Sequence, residues 1–433
     1  MKYITFPGIN KYILLLLLVG IVEIWPHSAL ANPVFARQYD MSCNTCHAAF
    51  PRLNAFGEHF RDSNLRLPNW REKTTIDTGD KQLALPKIPP VGFRAQFFAQ
   101  AREGKDIDPV TGTTAADSSF DLQAPYLVKL FSSAPISDHM SYYFYGIFAE
   151  KGGNGETVIE DAWISHDNIF GSGTGMQFGQ FQTSDLMFPR ETRLTFQDFM
   201  AYRMAGITYD RGVLFNQSAG ALSLSLGLVN GNGISQNWTI NSPGYRRPDH
   251  LFDNNTGKSV FGRIGTEIGG IKAGIFALSG DQKSATGVAG NTTGTRDTTK
   301  QVAGLDLSGM WGGKGYWFVQ GVWNRWDGFL DADPGRNYAW FGGFAGIDYV
   351  LNDRWALSAL YNYGDAGDFK GTATIYEGIK MQTLTLGASY YFMRNAKGVI
   401  EFNYDFLSAD NDADFVGHET KEGYFLVGFD IAF

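Results

Sequence analysis

The stretch KGVIEFNYDFL, residues 397–407, decides the fold, because its side chains alternate between apolar and polar along the chain. The apolar positions are Ile400, Phe402, Tyr404 and Phe406, and the polar positions between them are Glu401, Asn403 and Asp405. Successive side chains of a β-strand point to opposite faces of the sheet. The stretch therefore predicts a strand with one apolar face and one polar face.

The same alternation recurs from Gly92 to the end of the chain, as in GFRAQFFAQ at residues 92–100 and QTLTLGASYYF at 382–392. Counting such segments predicts about sixteen strands. They lie near residues 92–100, 121–132, 139–149, 156–165, 174–182, 200–209, 219–229, 258–268, 271–279, 301–310, 314–325, 338–350, 353–363, 378–391, 396–407 and 422–433.

The connections between these segments alternate between tight turns and long polar stretches. Tight turns include Gly269-Gly270, WGGK at 311–314 and LND at 351–353. This asymmetry is typical of outer-membrane barrels, which have short periplasmic turns and long extracellular loops. The external loops are predicted at 101–120, 183–199, 230–257, 280–300, 326–338, 364–377 and 408–421.

The last predicted strand alternates up to the terminal aromatic residue, Phe433. This ending resembles the C-terminal signal by which the barrel-insertion machinery recognises outer-membrane proteins. The alternative is a large soluble β-sandwich or propeller, but no blade-length repeat is visible. Residues 91–433 are therefore predicted to form an all-β, transmembrane outer-membrane β-barrel of about 16 antiparallel strands.

Residues 1–31 read as a secretory signal peptide, with Lys2 and Lys11, an apolar run from Ile13 to Val22, and Ala29-Leu30-Ala31 as the cleavage site. No later stretch approaches the roughly 20 apolar residues that a transmembrane helix needs. Export without a helical anchor is predicted. The formal net charge of −8 argues against a nucleic-acid partner.

Residues 32–90 are predicted to form a short, partly helical plug domain. Pro51 can begin a helix that places Phe50, Leu53, Phe56 and Phe60 near one face. Four prolines, Pro68, Pro86, Pro89 and Pro90, then interrupt regular structure. An even number of strands puts both termini in the periplasm, so this segment either hangs below the membrane or enters the lumen.

The plug contains the only two cysteines of the chain, Cys43 and Cys46, followed directly by His47. Cys-x-x-Cys-His is the attachment signature of a c-type haem, in which two thioethers hold the porphyrin and the histidine binds the iron. A thiol-disulfide pair lacks its usual βαβ context here, and a zinc site lacks a fourth ligand. One covalent haem c is therefore predicted.

The 59 residues from 32 to 90 are too few to enclose a porphyrin alone, so the barrel wall is expected to shelter it. The apolar residues Phe50, Leu53, Phe56 and Phe60 either cover one face of the haem or pack against the lumen. The distal iron ligand is open. His59 is the nearest candidate, Met41 lies too close to Cys43, and Met381 is more often explained as packing.

The stretch FARQYDMSCNTCHAAFPRLNAFGEHFR, residues 35–61, resembles the N-terminus of the fused cytochrome-porins, the outer-membrane monohaem c-type cytochromes of iron-oxidising bacteria and their relatives. The matching positions are Phe35, Ala36, Arg37, Gln38, Cys43, Cys46, His47, Pro51, Leu53, Asn54, Phe56 and Gly57. Iron-oxidising members often have His-Phe-Gln after the haem histidine, where this chain has Ala48-Ala49-Phe50.

The resemblance implies an electron-transfer protein of the oxidoreductase type in the cell outer membrane. An extracellular donor such as Fe(II) would reduce the barrel-enclosed haem, and a periplasmic electron-carrier cytochrome would take the electron. Two alternatives remain open: a diffusion porin whose haem is a plug or sensor, and a conduit that exports electrons to an extracellular acceptor. No catalytic residue is predicted.

Charged residues do not separate these alternatives. Carboxylates in two predicted external loops either attract Fe(II) or are simply solvated; they are Asp106, Asp108, Asp410, Asp412, Asp414 and Glu419. The predicted polar lumen residues are equally expected of a plain porin. They are Arg94, Lys129, Arg263, Glu267, Glu401 and Asp405.

Overall fold

A computed structural model describes residues 34–102, 106–107, 114–116, 120–150, 158–231, 256–286, 293–369, 372, 380–406 and 423–433. The predicted signal peptide, residues 1–31, lies outside these ranges. Residues Asn32–Phe433 form one compact unit.

Sixteen long strands, numbered in chain order, make up most of the described chain. They are β1 Val91–Arg102, β2 Phe120–Pro135, β3 Met140–Glu150, β4 Val158–Ile169, β5 Thr174–Gln182, β6 Tyr209–Ala219, β7 Leu222–Val229, β8 Ser259–Ile268, β9 Ile271–Ala285, β10 Thr293–Trp311, β11 Gly315–Asp327, β12 Asn337–Val350, β13 Trp355–Asp365, β14 Lys380–Met393, β15 Ala396–Asp405 and β16 Tyr424–Ala432.

The sixteen strands form one closed antiparallel barrel. Each strand pairs with its neighbours in the sequence, and β16 closes the sheet against β1, with Phe429 opposite Phe97 and Leu426 opposite Gln100. Closure leaves no strand edge unpaired. The predicted all-β barrel of about sixteen antiparallel strands is therefore confirmed.

The two faces of the sheet have the distribution expected of a barrel in lipid. On β15, Phe402 and Tyr404 face outward and are exposed, whereas Glu401 and Asn403 between them are buried inside. Ile264, Ile275 and Leu305 are each more than half exposed on the outer surface. A soluble β-sandwich would bury these apolar side chains, so the arrangement excludes that alternative for the described strands.

Seven short turns lie at one rim of the barrel, and the long connections lie at the other, as the sequence predicted. The short turns are residues 136–139, 170–173, 220–221, 269–270, 312–314, 351–354 and 394–395. Both ends of the barrel, at Val91 and Ala432, lie at the short-turn rim because the strand number is even. The predicted loops 101–120, 230–257 and 408–421 lie wholly or largely outside the described residues, and half of 364–377 does so too.

The predicted loop at 280–300 is mostly strand, which corrects the sequence interpretation. Strand β9 extends to Ala285 and β10 begins at Thr293, so the connection between them is only residues 286–292. Lys283 forms an ion pair with Asp297 across this hairpin, with 2.6 Å between Nζ and Oδ1. The polar composition that suggested a loop fits a strand pair carrying charges along its length.

The plug, residues 34–90, contains four short helices: α1 Val34–Tyr39, α2 Cys43–Cys46, α3 Ala55–Asp62 and α4 Trp70–Thr74. Two small ladders join them, His47–Ala49 with Arg52–Leu53 and Thr75–Ile76 with Leu85–Pro86. Within the described residues, no helix is long and apolar enough to cross a bilayer.

The predicted helix start at Pro51 is wrong. Pro51 lies in the turn of the first small ladder, and the helix begins at Ala55 instead. Asn54 caps it, because the Asn54 side-chain oxygen accepts a hydrogen bond of 2.9 Å from the Gly57 amide. A good capping residue therefore decided the start of this helix.

The predicted strand 200–209 is also wrong, because Met200–Ala205 forms a helix, α5. Its six residues are all buried, and Gly206 ends the helix with a positive φ of 61°. Because all six side chains are buried, apolar and polar residues do not alternate here in a way that distinguishes a helix from a strand. The strand that follows is β6, Tyr209–Ala219, which the sequence did not predict, whereas β7 lies within the predicted strand 219–229.

Residues 183–208, here called the inward segment, fold into the barrel, so 183–199 is not the external loop that was predicted. Glu401 of β15 accepts hydrogen bonds from the Phe196 and Gln197 amides at 2.6 and 2.9 Å. On another wall, the Tyr202 hydroxyl donates to Gln320 Oε1 at 2.9 Å. Lumen-facing polar side chains thus hold this segment in place.

Aromatic side chains fill the lumen around the inward segment. The Phe199 and Phe344 rings stack with centroids 4.4 Å apart, and Phe318 and Tyr202 meet Phe344 edge to face. These residues belong to a large buried apolar cluster. The described part of the lumen is therefore packed rather than uniformly polar.

We expect Glu401→Ala to loosen the inward segment, since the partly buried Phe196 amide and the buried Gln197 amide lose their acceptor, which costs about 1–3 kcal/mol for a buried group. Hydrogen–deuterium exchange of residues 194–199 should become faster in the purified barrel. Glu267→Ala, which removes an exposed carboxylate from β8, is the control. Equal exchange in the two variants would contradict this account of how the segment is held.

Candidate haem-attachment site

The two cysteines lie on one turn of helix, α2, and His47 follows it in extended conformation. Residues three apart in a helix lie on the same face, so both side chains start from one side of the turn. Both cysteines are free thiols and half-buried. Burial raises the pKa of both above the usual value, which keeps them as thiols at neutral pH.

One ring nitrogen of His47 forms a hydrogen bond within the plug. Nδ1 lies 3.0 Å from the Pro51 carbonyl oxygen and donates a hydrogen bond to it in the neutral ring. Burial lowers the pKa of His47 to about 4, against the opposing effect of hydrogen bonding to Pro51. The ring is therefore neutral at physiological pH, and Nε2 is its lone-pair nitrogen, the form that binds a metal ion.

Helix α3 supports the Cys-x-x-Cys-His turn from the other side. Asn54 Nδ2 donates to the Asn44 and Thr45 carbonyls at 3.0 and 3.1 Å. A Cβ added to Gly57 would lie 2.1 Å from the Cys46 carbonyl oxygen, so only glycine permits this approach. Sequence reasoning found Asn54 and Gly57 only as resemblance positions, and the structure gives their role.

The barrel holds the segment that follows His47. The Phe50 carbonyl accepts hydrogen bonds from the Tyr391 hydroxyl at 2.7 Å and from Lys397 Nζ at 3.2 Å. Ala49 is buried in a cluster with Tyr391 and with Leu194 of the inward segment. The plug and the inward segment therefore meet inside the barrel.

A shallow cleft that is open to solvent lies between the plug and the short-turn rim. Its plug side includes Cys43, Asn44, His47 and Phe50, and its barrel side includes Val350, Trp355, Tyr391 and Arg394. It combines a thiol and an imidazole with apolar side chains and the Arg394 guanidinium, and it also includes Asn352 and the Asp353 carboxylate, whereas Cys46 is not part of its lining. In their chemistry, the His47 imidazole, the apolar side chains and Arg394 suit the iron, the ring and a carboxylate of a porphyrin.

The other predicted haem contacts lie elsewhere. Of the four apolar plug residues, Phe50 lines the cleft, whereas Phe60 packs edge to face against Phe35 and Tyr39, with centroids 5.1 and 5.6 Å apart. The barrel contributes Val350, Trp355 and Tyr391 instead. No sequence signal marks these three, because they are separated from His47 by about three hundred positions.

The structure places none of the three candidate distal ligands on the cleft lining. His59 lies on α3, with Nε2 3.5 Å from the Ser63 hydroxyl, and it stays a prediction. Met381 is buried in an apolar cluster with Met200 and Tyr424. Met41 packs against the cluster around Phe60.

Three of the six predicted lumen charges form ion pairs with other strands of the barrel. Arg94 pairs with Asp430, Lys129 with Glu160, and Arg263 with Asp306, at 2.6–2.8 Å. Asp405 is buried, and Glu267 is exposed. Asp108, Asp410, Asp412, Asp414 and Glu419 lie outside the described residues. Among the residues that are described, no group of three or more His, Cys, Asp or Glu side chains is placed to hold a metal ion.

The fold is similar to that of solved outer-membrane proteins. OmpT of Vibrio cholerae has a TM-score of 0.51 at 14% identity, covering 79% of this chain and 97% of OmpT. The outer membrane channel DcaP of Acinetobacter baumannii has 0.52 at 14%, covering 79% and 97%. An anion-selective porin from Comamonas acidovorans has 0.53 at 14%, covering 79% and 98%.

No protein-family model matches the chain, and no curated protein matches it either. At 14% identity, the likeness to the solved structures concerns the fold alone. The chain therefore has the closed-barrel fold of outer-membrane porins.

Proposed function

We propose that this chain is an outer-membrane electron-transfer protein that carries one c-type haem in its plug and passes electrons from an extracellular donor to a periplasmic cytochrome. The observation that carries the proposal is the His47 ring within Cys-x-x-Cys-His. Its Nδ1 is held by the Pro51 carbonyl, so that Nε2 is the nitrogen left for iron.

Insertion into outer-membrane lipid is supported by the apolar outer face of the strands. Aromatic side chains lie on this face near the rims, where barrels place their interfacial girdles. Trp311 and Tyr349 stack at the short-turn end, with centroids 6.3 Å apart. Short turns face the periplasm in such barrels, which would put both termini and the plug on that side.

The chain's own residues would hold the haem and control its surroundings. Cys43 and Cys46 would attach it through thioethers, and His47 Nε2 would bind its iron. Val350 and Trp355 would exclude water from the ring, and Arg394, which lies 4.0 Å from the Asp353 carboxylate, would offer a cation to a porphyrin carboxylate. When bound, the haem would supply a one-electron Fe(III)/Fe(II) couple.

The packed lumen supports electron transfer over solute diffusion. Buried aromatic side chains around Phe344 occupy its described interior, and the plug meets the inward segment at Ala49 and Leu194. Electrons need no water-filled passage. The direction of flow follows the resemblance, since exporting conduits usually thread a separate multihaem cytochrome through a barrel, and this chain has one Cys-x-x-Cys-His.

A diffusion porin with a haem-bearing plug is the second candidate, and the similarity in fold to a channel and to an anion-selective porin favours it. It requires that small solutes pass the inward segment and the plug. The two functions therefore differ in what crosses the barrel, which is measurable in vesicles.

We expect haem staining on a denaturing gel for the mature protein and its loss in Cys46→Ala, because the thioether bonds survive denaturation. His47→Ala should still insert into the outer membrane but lose the ordinary redox signal. Cys46→Ala that stains as strongly as the unaltered protein would contradict covalent attachment at this motif.

We expect Fe(II), added outside vesicles that contain the oxidised protein in its native orientation, to reduce the haem and then a soluble cytochrome c inside. Vesicles without the protein control for leakage. Reduction by another external donor but not by Fe(II) would remove iron oxidation and keep the conduit. Failure with every external donor, together with rapid entry of sugars in a swelling assay, would favour the porin.

A further inference from the structure

Arg52 joins the plug to the barrel wall next to the residue that orients His47. Its guanidinium forms an ion pair with Asp348 of β12, 296 positions further along the chain. The same guanidinium lies over the Tyr316 ring of β11, 4.1 Å from the centroid, and 5.5 Å from that of Phe318. The Arg52 side chain of the plug therefore contacts two adjacent strands of the barrel.

The backbone of Arg52 is part of the same small ladder as His47. Arg52 lies opposite Ala49, and Leu53 lies opposite His47. Pro51, whose carbonyl accepts the hydrogen bond from His47 Nδ1, is the neighbour of Arg52 in the chain. A displacement of Arg52 would therefore move the hydrogen-bond acceptor that fixes the imidazole.

We propose that Arg52 is a positioning residue: through its contact with Asp348, the barrel wall fixes the Pro51 carbonyl against His47 and so sets the electron donation of the imidazole to the iron. The inference rests on the proposed function, because it concerns the same site. A stronger hydrogen bond from Nδ1 makes the imidazole a better electron donor and favours ferric iron.

The burial of the pair supports a geometric role. The Arg52 and Asp348 side chains are only 13% and 6% exposed, and burying an ion pair carries a desolvation cost that the attraction does not always repay. The planar guanidinium can bind a carboxylate and stack on an aromatic ring at once, which an ammonium cannot do as well. This combination fixes the position of the ladder more tightly than either contact alone.

A second plug–barrel ion pair provides a matched control. Arg66 pairs with Asp167 at the end of β4, and both side chains are partly buried, at 16% and 25% exposed. Arg66 lies outside the His47 ladder, beyond α3. Arg66→Gln therefore removes a comparable contact between plug and barrel without touching Pro51.

The test measures the midpoint potential of the haem in the purified full-length holoprotein by spectroelectrochemical titration. Positioning predicts that Arg52→Gln and Asp348→Asn both raise the potential, since both loosen the Pro51 contact and weaken donation by His47. A through-space charge effect predicts opposite shifts, because one variant removes a positive charge and the other a negative charge. Arg66→Gln should leave the potential unchanged.

Arg52→Lys keeps the charge but loses the planar stacking, and it serves if the glutamine variant does not load haem. Positioning predicts a shift of the same sign and smaller size, whereas a pure charge effect predicts none. Opposite shifts in Arg52→Gln and Asp348→Asn, or shifts equal to that of Arg66→Gln, would overturn the inference alone. Absence of covalent haem from the unaltered protein would overturn the proposed function and this inference together.

Discussion

The antiparallel pairing of Tyr424–Ala432 with Val91–Arg102 closes the sheet, and the rest of the molecule depends on that closure. Lipid offers no hydrogen bonds, so a sheet can cross a membrane only when each backbone group finds its partner in the neighbouring strand. Closure also creates an interior. Because polar side chains of several strands face this interior, Glu401, Asp348 and Gln320 bind the chain segments that enter it.

The plug shows what such an interior allows. A segment of fewer than sixty residues has little core with which to cover a porphyrin, and a domain of about 60 residues is only marginally stable. Here the support comes from the barrel wall: Lys397 and Tyr391 bind the Phe50 carbonyl, and Asp348 binds Arg52. The redox site that we propose therefore belongs to two parts of one chain, which gives a physical reason for their fusion.

The sequence predicted those features of the structure that depend on residues close together in the chain. Period-two alternation predicted fifteen of the sixteen strands in approximate position, and turn lengths predicted the rim that bears the tight turns. Haem attachment at Cys43, Cys46 and His47 stays a prediction from their spacing. Helix α5 was missed because burial on all sides removes the periodic pattern from Met200–Ala205. The sequence did not predict which barrel residues contact the plug, since the contacts of Arg52 and Phe50 with the barrel join residues roughly three hundred positions apart.

The proposed function depends most directly on covalent attachment of haem at Cys43 and Cys46. The mass of the proteolytic peptide that contains both residues tests this attachment. Protein purified from outer membranes of a host with a c-type haem maturation system should yield this peptide carrying one haem, bound through both sulfur atoms. A peptide with two free thiols or an internal disulfide, obtained while a known c-type cytochrome from the same cells is fully loaded, would contradict it.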